Sequence, residues 1–150
     1  PVYNVDEPRY PLMLSMNSRL FKLFLNDVDC SPACAAWTSS RLLTTSTTLN
    51  YRASYENVVA QELKAHGFNL FYYKNNSIGE LDFVIEHPHG RVLPLEVKSG
   101  KSYKRHSALS KALDTKNFGI PKGMVLAEAN TQSKENIDYL PIYMVSQLHK

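Results

Sequence analysis

The sequence predicts an α/β domain of the α+β kind, in which a mixed central sheet is flanked by helices. Three observations favour this class: a helical apolar stripe that begins near residue 55, two strand-like runs on either side of a turn cluster near residue 88, and a helical and then strand-like pattern after residue 106. Within residues 50–150 the predicted order is helix, three strands, helix and strand. Helices in these positions can cover both faces of a sheet.

The first 49 residues are predicted to be an N-terminal extension or linker. Residues 1–17 are rich in proline and should be extended, whereas residues 18–28 suit either a short strand or a short helix. Residues 38–49 form a Ser/Thr-rich connector. The compact part of the chain is therefore expected to be residues 50–150.

The first predicted helix runs from Tyr55 to His66, with Ser54 as its N-cap and Gly67 as the residue that ends it. The stripe that should face the core consists of Glu56, Val59, Ala60 and Leu63. Glu56 is the charged member of this stripe. An acidic residue in the first turn also complements the helix dipole, and this alone would explain a glutamate here.

Two strand-like runs, residues 80–86 and 91–98, are separated by the breaker cluster 87–90 and predict an antiparallel hairpin. On the second strand, Glu96 and Lys98 should share a face because side chains alternate along a strand. On the first strand, strict alternation would divide the side chains between the two faces of the sheet. One face would carry Leu81, Phe83 and Ile85, and the other would carry Glu80, Asp82, Val84 and Glu86.

The length of the hairpin loop decides which residues face each other. If residues 88–90 form a three-residue loop, His87 pairs with Arg91, and Asp82 lies opposite Glu96 with Cβ atoms about 5 Å apart. A loop one residue longer or shorter would turn one strand over. Two carboxylates at this distance repel each other unless a divalent cation such as Mg²⁺ lies between them.

Each of these charged residues has an ordinary explanation when it is taken alone. Asp82 could be an acid at a strand edge, and Glu96 with Lys98 could be an ion pair on a solvated strand. What favours a functional site is their coincidence with Glu56, because all of them lie within apolar patterns where a charge is costly.

The order Glu56, Asp82, Glu96 and Lys98 resembles the PD-(D/E)xK nuclease superfamily, with residues 68–74 as the first strand of its core. Residues 50–150 also resemble a narrower group, the C-terminal domain of bacterial and archaeal AAA-type ATPases. This domain is catalogued as a domain of unknown function. The resemblance is carried by the segments YENVVAQEL, FNLFYYK, GELDFVIE, LPLEVKSGK and LPIYMVSQL. The segments PRYPLMLS and RLFKLFLNDVD are similar to the part that joins the ATPase to this domain.

The resemblance implies a restriction-endonuclease-like core and a nuclease that depends on Mg²⁺ or Mn²⁺ and hydrolyses phosphodiester bonds, with DNA as the expected substrate. Asp82 and Glu96 would hold the metal together with the Val97 carbonyl. Lys98 would orient the attacking water or neutralise the phosphate, and Glu56 would hold metal-bound water or assist a second ion. Residues 1–49 would lead toward an ATPase module of the same full-length chain.

Residues 98–122 contain seven lysines and arginines and one aspartate, a net charge of +6, against +3 for the whole chain. Such a concentration of positive charge favours binding to a phosphate backbone. The residues predicted to bind nucleic acid are Lys101, Lys104, Arg105 and Lys111. Tyr103 and His106 could stack on bases. The alternative is a lysine-rich surface with no ligand.

Composition agrees with an intracellular domain, for which a cytoplasmic location is expected. The chain has no membrane-length apolar run, and its two cysteines, Cys30 and Cys34, suit free thiols better than a disulfide framework or a zinc site. Two functions besides the nuclease stay open. One is a catalytically silent nuclease fold that binds nucleic acid. The other is an interaction or regulatory domain of the ATPase, which would use exposed tyrosines such as Tyr72 and Tyr73.

Overall fold

The chain is described from a computed structural model, which covers residues 1–25, 51–100 and 102–150. These residues form one eight-stranded sheet. Its strands are β1 (Val2–Val5), β2 (Met16–Lys22), β3 (Phe71–Asn75), β4 (Gly79–His87), β5 (Arg91–Lys98), β6 (Gly123–Ala127), β7 (Gln132–Lys134) and β8 (Ile137–Pro141). The α-helices are α1 (Tyr51–Ala65) and α2 (Ser107–Asp114), and 3-10 helices lie at Leu12–Ser15, Lys116–Phe118 and Ile142–Gln147. The predictions for the connector at residues 38–49 and for Cys30, Cys34 and Lys101 fall outside the described residues.

The strands lie in the order β2-β1-β3-β4-β5-β6-β8-β7. β3, β4 and β5 are antiparallel neighbours, whereas β5, β6 and β8 run parallel to one another. The sheet is therefore mixed, as predicted. The carboxyl ends of β5, β6 and β8 meet at one edge of the sheet, which is where open α/β sheets commonly bind ligands.

The predicted order of elements between residues 50 and 150 is confirmed, because α1, β3, β4, β5, α2 and β6 follow one another along the chain. The N-terminal part adds two strands to the same sheet. β1 pairs in parallel with β3, and β2 pairs antiparallel with β1 at the outer edge. Residues 2–22 thus share the sheet with the rest of the chain, and the role of residues 1–49 as a linker stays a prediction.

Helix α1 begins at Tyr51, so the prediction that Ser54 is its N-cap is wrong. The helix is longer than predicted and includes Arg52, which forms an ion pair with Glu56 one turn further along. Its end is as predicted: Gly67 has a φ of +81°, and the amides of Gly67 and Phe68 donate to the last free carbonyls of the helix. This is a Schellman motif, and it relies on a residue that tolerates positive φ.

Two hydrophobic clusters cover the two faces of the sheet. On one face, α1 buries Val59, Ala60 and Leu63 against a sheet surface made of Phe83, Ile85, Leu95, Val97 and Leu126. On the other, α2 buries Ala108, Leu109 and Ala112 against a surface made of Val84, Val92, Val125 and Ala127. The domain therefore has three layers, with the sheet between the two helices.

The predicted alternation along β4 is wrong at its start. Between Phe71 and Tyr73 of β3, the register of pairing with β4 shifts by one residue, so Asp82 and Phe83 together lie opposite one residue of β3. This is the geometry of a β-bulge. Leu81 consequently packs in the α2-side cluster, whereas Phe83 packs on the α1 side.

Tyr72 and Tyr73 are buried, with exposures of 7% and 3%, and the prediction that they are exposed is wrong. The reason is the position of β3, which is an internal strand with β1 on one side and β4 on the other. Among the helices of the described part of the chain, none is both long and apolar enough to span a membrane.

Gly123 should be a sensitive position, because a Cβ atom there would lie 2.7 Å from Cδ1 of the fully buried Leu109. We expect Gly123→Ala to lower the free energy of unfolding by about 1–3 kcal/mol, the usual cost of an overpacked core. Urea denaturation measures this loss. The control is the same change in a Leu109→Ala background, where space is available and the added loss should shrink. An equal loss in both backgrounds would contradict the contact.

Candidate functional site

The hairpin between β4 and β5 has the predicted register. His87 pairs with Arg91 across the three-residue loop, and the pairing continues to Phe83 and Leu95. From that point β4 continues beside β3, while β5 continues beside β6. The two strands therefore open into a fork. Asp82 and Glu96 are the next residues along the two strands, beyond the last backbone pair, and the approach of their Cβ atoms to about 5 Å stays a prediction.

Asp82 lies inside this fork with only 1% of its surface exposed. Its Oδ2 accepts a hydrogen bond of 2.8 Å from the backbone N–H of Val97, and its Oδ1 accepts one of 3.0 Å from Nη2 of Arg52. A buried carboxylate is tolerated when charged or backbone donors compensate it in this way. The two bonds also fix the direction of the carboxylate.

Glu96 and Lys98 share a face, as predicted. Lys98 Nζ lies 2.5 Å from Oε1 of Glu96, a carboxylate that is 5% exposed. Oε2 of Glu96 is buried, and within the described ranges it has no hydrogen-bond partner. Burial raises the pKa of Glu96, although the ammonium of Lys98 acts in the opposite direction. Glu96 thus offers one oxygen for a further ligand.

Arg52 connects the helix to the fork. Its Nε donates to Oε1 of Glu56 at 2.8 Å, one turn along α1, while its Nη2 contacts Asp82. The negative charge of Asp82 raises the pKa of the arginine. Burial raises the pKa of Glu56, and the charge of Asp82 adds to this effect. The sequence analysis did not predict a role for Arg52. The one feature of the sequence that could have indicated it is the i,i+4 spacing between Arg52 and Glu56.

The structure brings Glu56, Asp82, Glu96 and Lys98 to one corner of the domain, but not as a single set of metal ligands. In the part of the chain that the structure describes, no three His, Cys, Asp or Glu side chains are arranged around one ion. The donor chemistry nevertheless suits a hard cation, because Mg²⁺ commonly uses one or two carboxylates together with waters and substrate phosphate. Arg52 would compete with such an ion for Asp82.

The residues predicted to bind nucleic acid take different positions. Lys104 and Arg105 are exposed in the loop after β5, at the same end of the strand as Lys98. Lys111 is exposed on α2 and donates to the carbonyl of Ser77 at 3.2 Å. Among the predicted contacts that the structure describes, Lys104 and Arg105 therefore lie nearest to the fork along the chain.

The positive charge of residues 98–122 does not form one continuous surface. Lys122 precedes β6 and lies beside Arg91, at the end of the sheet where β5 begins. It also forms an ion pair of 2.6 Å with Asp138. Since β5 and β6 are parallel, this end is opposite to the one at which Lys98 lies.

The two residues predicted to stack on bases differ. Both ring nitrogens of His106 have partners, Nε2 with the hydroxyl of Tyr139 at 2.6 Å and Nδ1 with Oγ of Ser110 at 3.1 Å. These contacts hold the imidazole within the domain. Tyr103 is half-buried, and its ring meets that of Tyr139 edge to face, with centroids 5.9 Å apart.

Replacing Glu96 with glutamine should alter how stability depends on pH. Because the pKa of Glu96 is raised in the folded state, the folded protein binds more protons than the unfolded chain between the two pKa values, and stability falls as pH rises through this window. Glu96→Gln removes that titration. The free energy of unfolding of the variant, relative to the wild type, should therefore increase as pH rises from about 4.

Urea denaturation in EDTA, repeated across this pH range, measures the difference. Asp114→Asn is a suitable control, since Asp114 is an exposed carboxylate at the end of α2. Parallel pH profiles for Glu96→Gln and the wild type would contradict the raised pKa.

Comparison with known proteins identifies the family. The family model described as "Domain of unknown function (DUF4143)" matches residues 51–145, which include α1, the fork and the strands up to β8. No curated protein and no solved structure matches the chain. The match confirms, at the level of the family, the expected likeness to a domain of unknown function. The chain belongs to the DUF4143 family.

Proposed function

We propose that this domain is a metal-dependent phosphodiesterase of the PD-(D/E)xK kind that acts on nucleic acid, with DNA as the expected substrate. The observation that supports the proposal is the set of charged residues just beyond the last backbone pair of the β4–β5 hairpin: Asp82 is buried and bonded to the N–H of Val97, and Glu96 is buried and paired with Lys98. Glu56 approaches from α1 through Arg52. Charged groups buried together at the edge of a sheet are typical of functional sites.

The residues have distinct roles in this proposal. Asp82 and Glu96 would hold Mg²⁺ or Mn²⁺, with the carbonyl of Val97 as a further oxygen. A bound ion there would supply positive charge at the phosphoryl oxygens and lower the pKa of a bound water. The N–H of Val97 keeps Asp82 in place, as its 2.8 Å bond to Oδ2 suggests. Lys98 donates to the phosphate or to the attacking water, and Glu56 accepts a hydrogen bond from water when Arg52 releases it.

A second function is favoured by Arg52 itself. Its guanidinium already compensates Asp82 and Glu56, so the corner can be stable without a metal ion. In this alternative the domain keeps the fold but no turnover. It binds nucleic acid through exposed cations such as Lys104 and Arg105, or it contacts and regulates an ATPase module of the same full-length chain.

Asp82→Asn and Glu96→Gln test the nuclease proposal. We expect each to lower the cleavage rate by at least about 10- to 100-fold, the loss seen even for outer partners of a metal site, while DNA affinity changes little. Cleavage of labelled single-stranded, duplex and branched DNA in Mg²⁺ or Mn²⁺ measures the rate, and fluorescence anisotropy in EDTA measures affinity. Asp114→Asn is the control. Wild-type rates in both variants would refute the assignment, and absence of cleavage by the wild type would favour the silent alternative.

Arg52→Gln should strengthen metal binding, because it removes the cation that competes for Asp82. A hydrogen bond to a charged group is worth about 1.5 kcal/mol or more, so loss of this competition should raise the affinity for Mn²⁺ by about tenfold. Calorimetric titration of Mn²⁺ into the wild type and the variant measures the change. Arg9→Gln is the matched control, since Arg9 pairs with Glu7 at 3.6 Å and both side chains are exposed. An unchanged or weaker affinity in Arg52→Gln would show that Arg52 does not compete with the ion.

A further inference from the structure

A groove of about 750 Å³ lies at the carboxyl ends of β6 and β8, between α1 and the 3-10 helix at Ile142–Gln147. Four other grooves in the described part of the chain hold about 180 to 440 Å³ each. The volume of the first groove is in the range of small-molecule sites. The proposed catalytic roles make no use of it.

The groove opens beside the candidate site. Ala127, which lines it, is the pairing partner of Lys98 in the β5–β6 ladder. Tyr55, which also lines it, is the neighbour of Glu56 on α1. A ligand that fills the groove and extends beyond it would therefore reach the fork.

Aromatic and apolar side chains make up much of the lining. The rings are those of Tyr55, Tyr103 and Tyr143, of which Tyr143 is 76% exposed. Tyr103 is kept in place by its edge-to-face contact with Tyr139. Val58 and Ile142 contribute apolar surface. Flat aromatic rings beside an apolar floor suit flat, weakly polar ligands such as nucleobases.

The polar groups of the groove suit the edge of a base better than a phosphate. Glu128 accepts a hydrogen bond from the hydroxyl of Tyr55, and its carboxylate would repel a phosphate but accept from the amino group of cytosine or adenine. The amide of Asn130 can both donate and accept. Positive charge is instead located around the groove, at Lys98 and in the exposed residues Lys104 and Arg105, which follow Tyr103 along the chain.

We propose that this groove binds unpaired bases of a single-stranded nucleic acid, while the backbone of the strand passes Lys98, Lys104 and Arg105. A base inside a duplex presents neither its face nor its pairing edge, whereas an unpaired base presents both. The inference rests on the proposed function, and it names the substrate class as nucleic acid with a single-stranded segment.

The test measures binding without cleavage. Fluorescence anisotropy in EDTA gives the affinity of the whole chain for labelled oligo(dT), for a mixed-sequence single strand and for a duplex of the same length. We expect Tyr143→Ala to weaken binding of both single strands by about fivefold or more, since base stacking on an aromatic ring is a substantial part of such affinity. Tyr143→Phe keeps the ring and should stay within about twofold of the wild type.

Two further variants make the result specific. Tyr10→Ala removes a tyrosine that is 56% exposed and does not line the groove, so it should leave every affinity unchanged. Glu128→Gln should alter binding of the mixed-sequence strand more than that of oligo(dT), because thymine has no exocyclic amino group to donate. Tyr143 and Glu128 are both exposed, so neither change threatens the fold.

The outcomes separate the groove from the catalytic proposal. Wild-type affinity in Tyr143→Ala, equal losses for duplex and single strand, or no binding of oligonucleotides at all would overturn the groove. Loss of cleavage in Asp82→Asn together with an unaffected Tyr143→Ala would leave the nuclease proposal intact without the groove. Single-strand binding that depends on Tyr143 in a protein without cleavage would support the groove and refute the nuclease.

Discussion

The carboxylate of Asp82 is buried where β4 and β5 part, and its two hydrogen bonds connect three elements of the domain. The bond from the Val97 N–H joins β4 to β5 beyond their last backbone pair, and the bond from Arg52 joins the first turn of α1 to the sheet. A buried charge without partners costs several kcal/mol, so the start of α1 and the opening of the fork depend on each other. The β-bulge at Asp82 and Phe83 lies at this same point.

The electrostatics of the corner follow from this arrangement. Glu56, Asp82 and Glu96 contribute three carboxylates, and Arg52 and Lys98 contribute two cations. Burial raises the pKa of Glu56 and of Glu96, and the charge of Asp82 adds to both effects. The corner can therefore accept more positive charge, and the buried Oε2 of Glu96 is an acceptor still to be used. Arg52 is the cation that now occupies Oδ1 of Asp82.

The groove adjoins the fork because of how the strands are connected. Lys98, Ala127 and Pro141 end three parallel strands at one edge of the sheet, so the fork and the groove lie next to each other because of the topology. The division of the basic stretch has the same origin, because the return through α2 carries Lys122 to the opposite end. The tyrosines of the groove and Lys98 thus lie at one end of the parallel strands, and Lys122 lies at the other end.

The sequence by itself determined the local features: the type and order of the elements from α1 to β6, the end of α1 at Gly67, and the pairing of His87 with Arg91 that sets the hairpin register. These depend on nearby residues, since a three-residue loop sets a hairpin register and a glycine ends a helix. Only the tertiary structure decided the rest. The bulge comes from pairing with β3, and the addition of β1 and β2 to the sheet, the burial of Tyr72, and the contact of Arg52 with a carboxylate 30 residues away join distant parts of the chain. Local periodicity carries no information on such long-range packing, which overrides it where the two conflict.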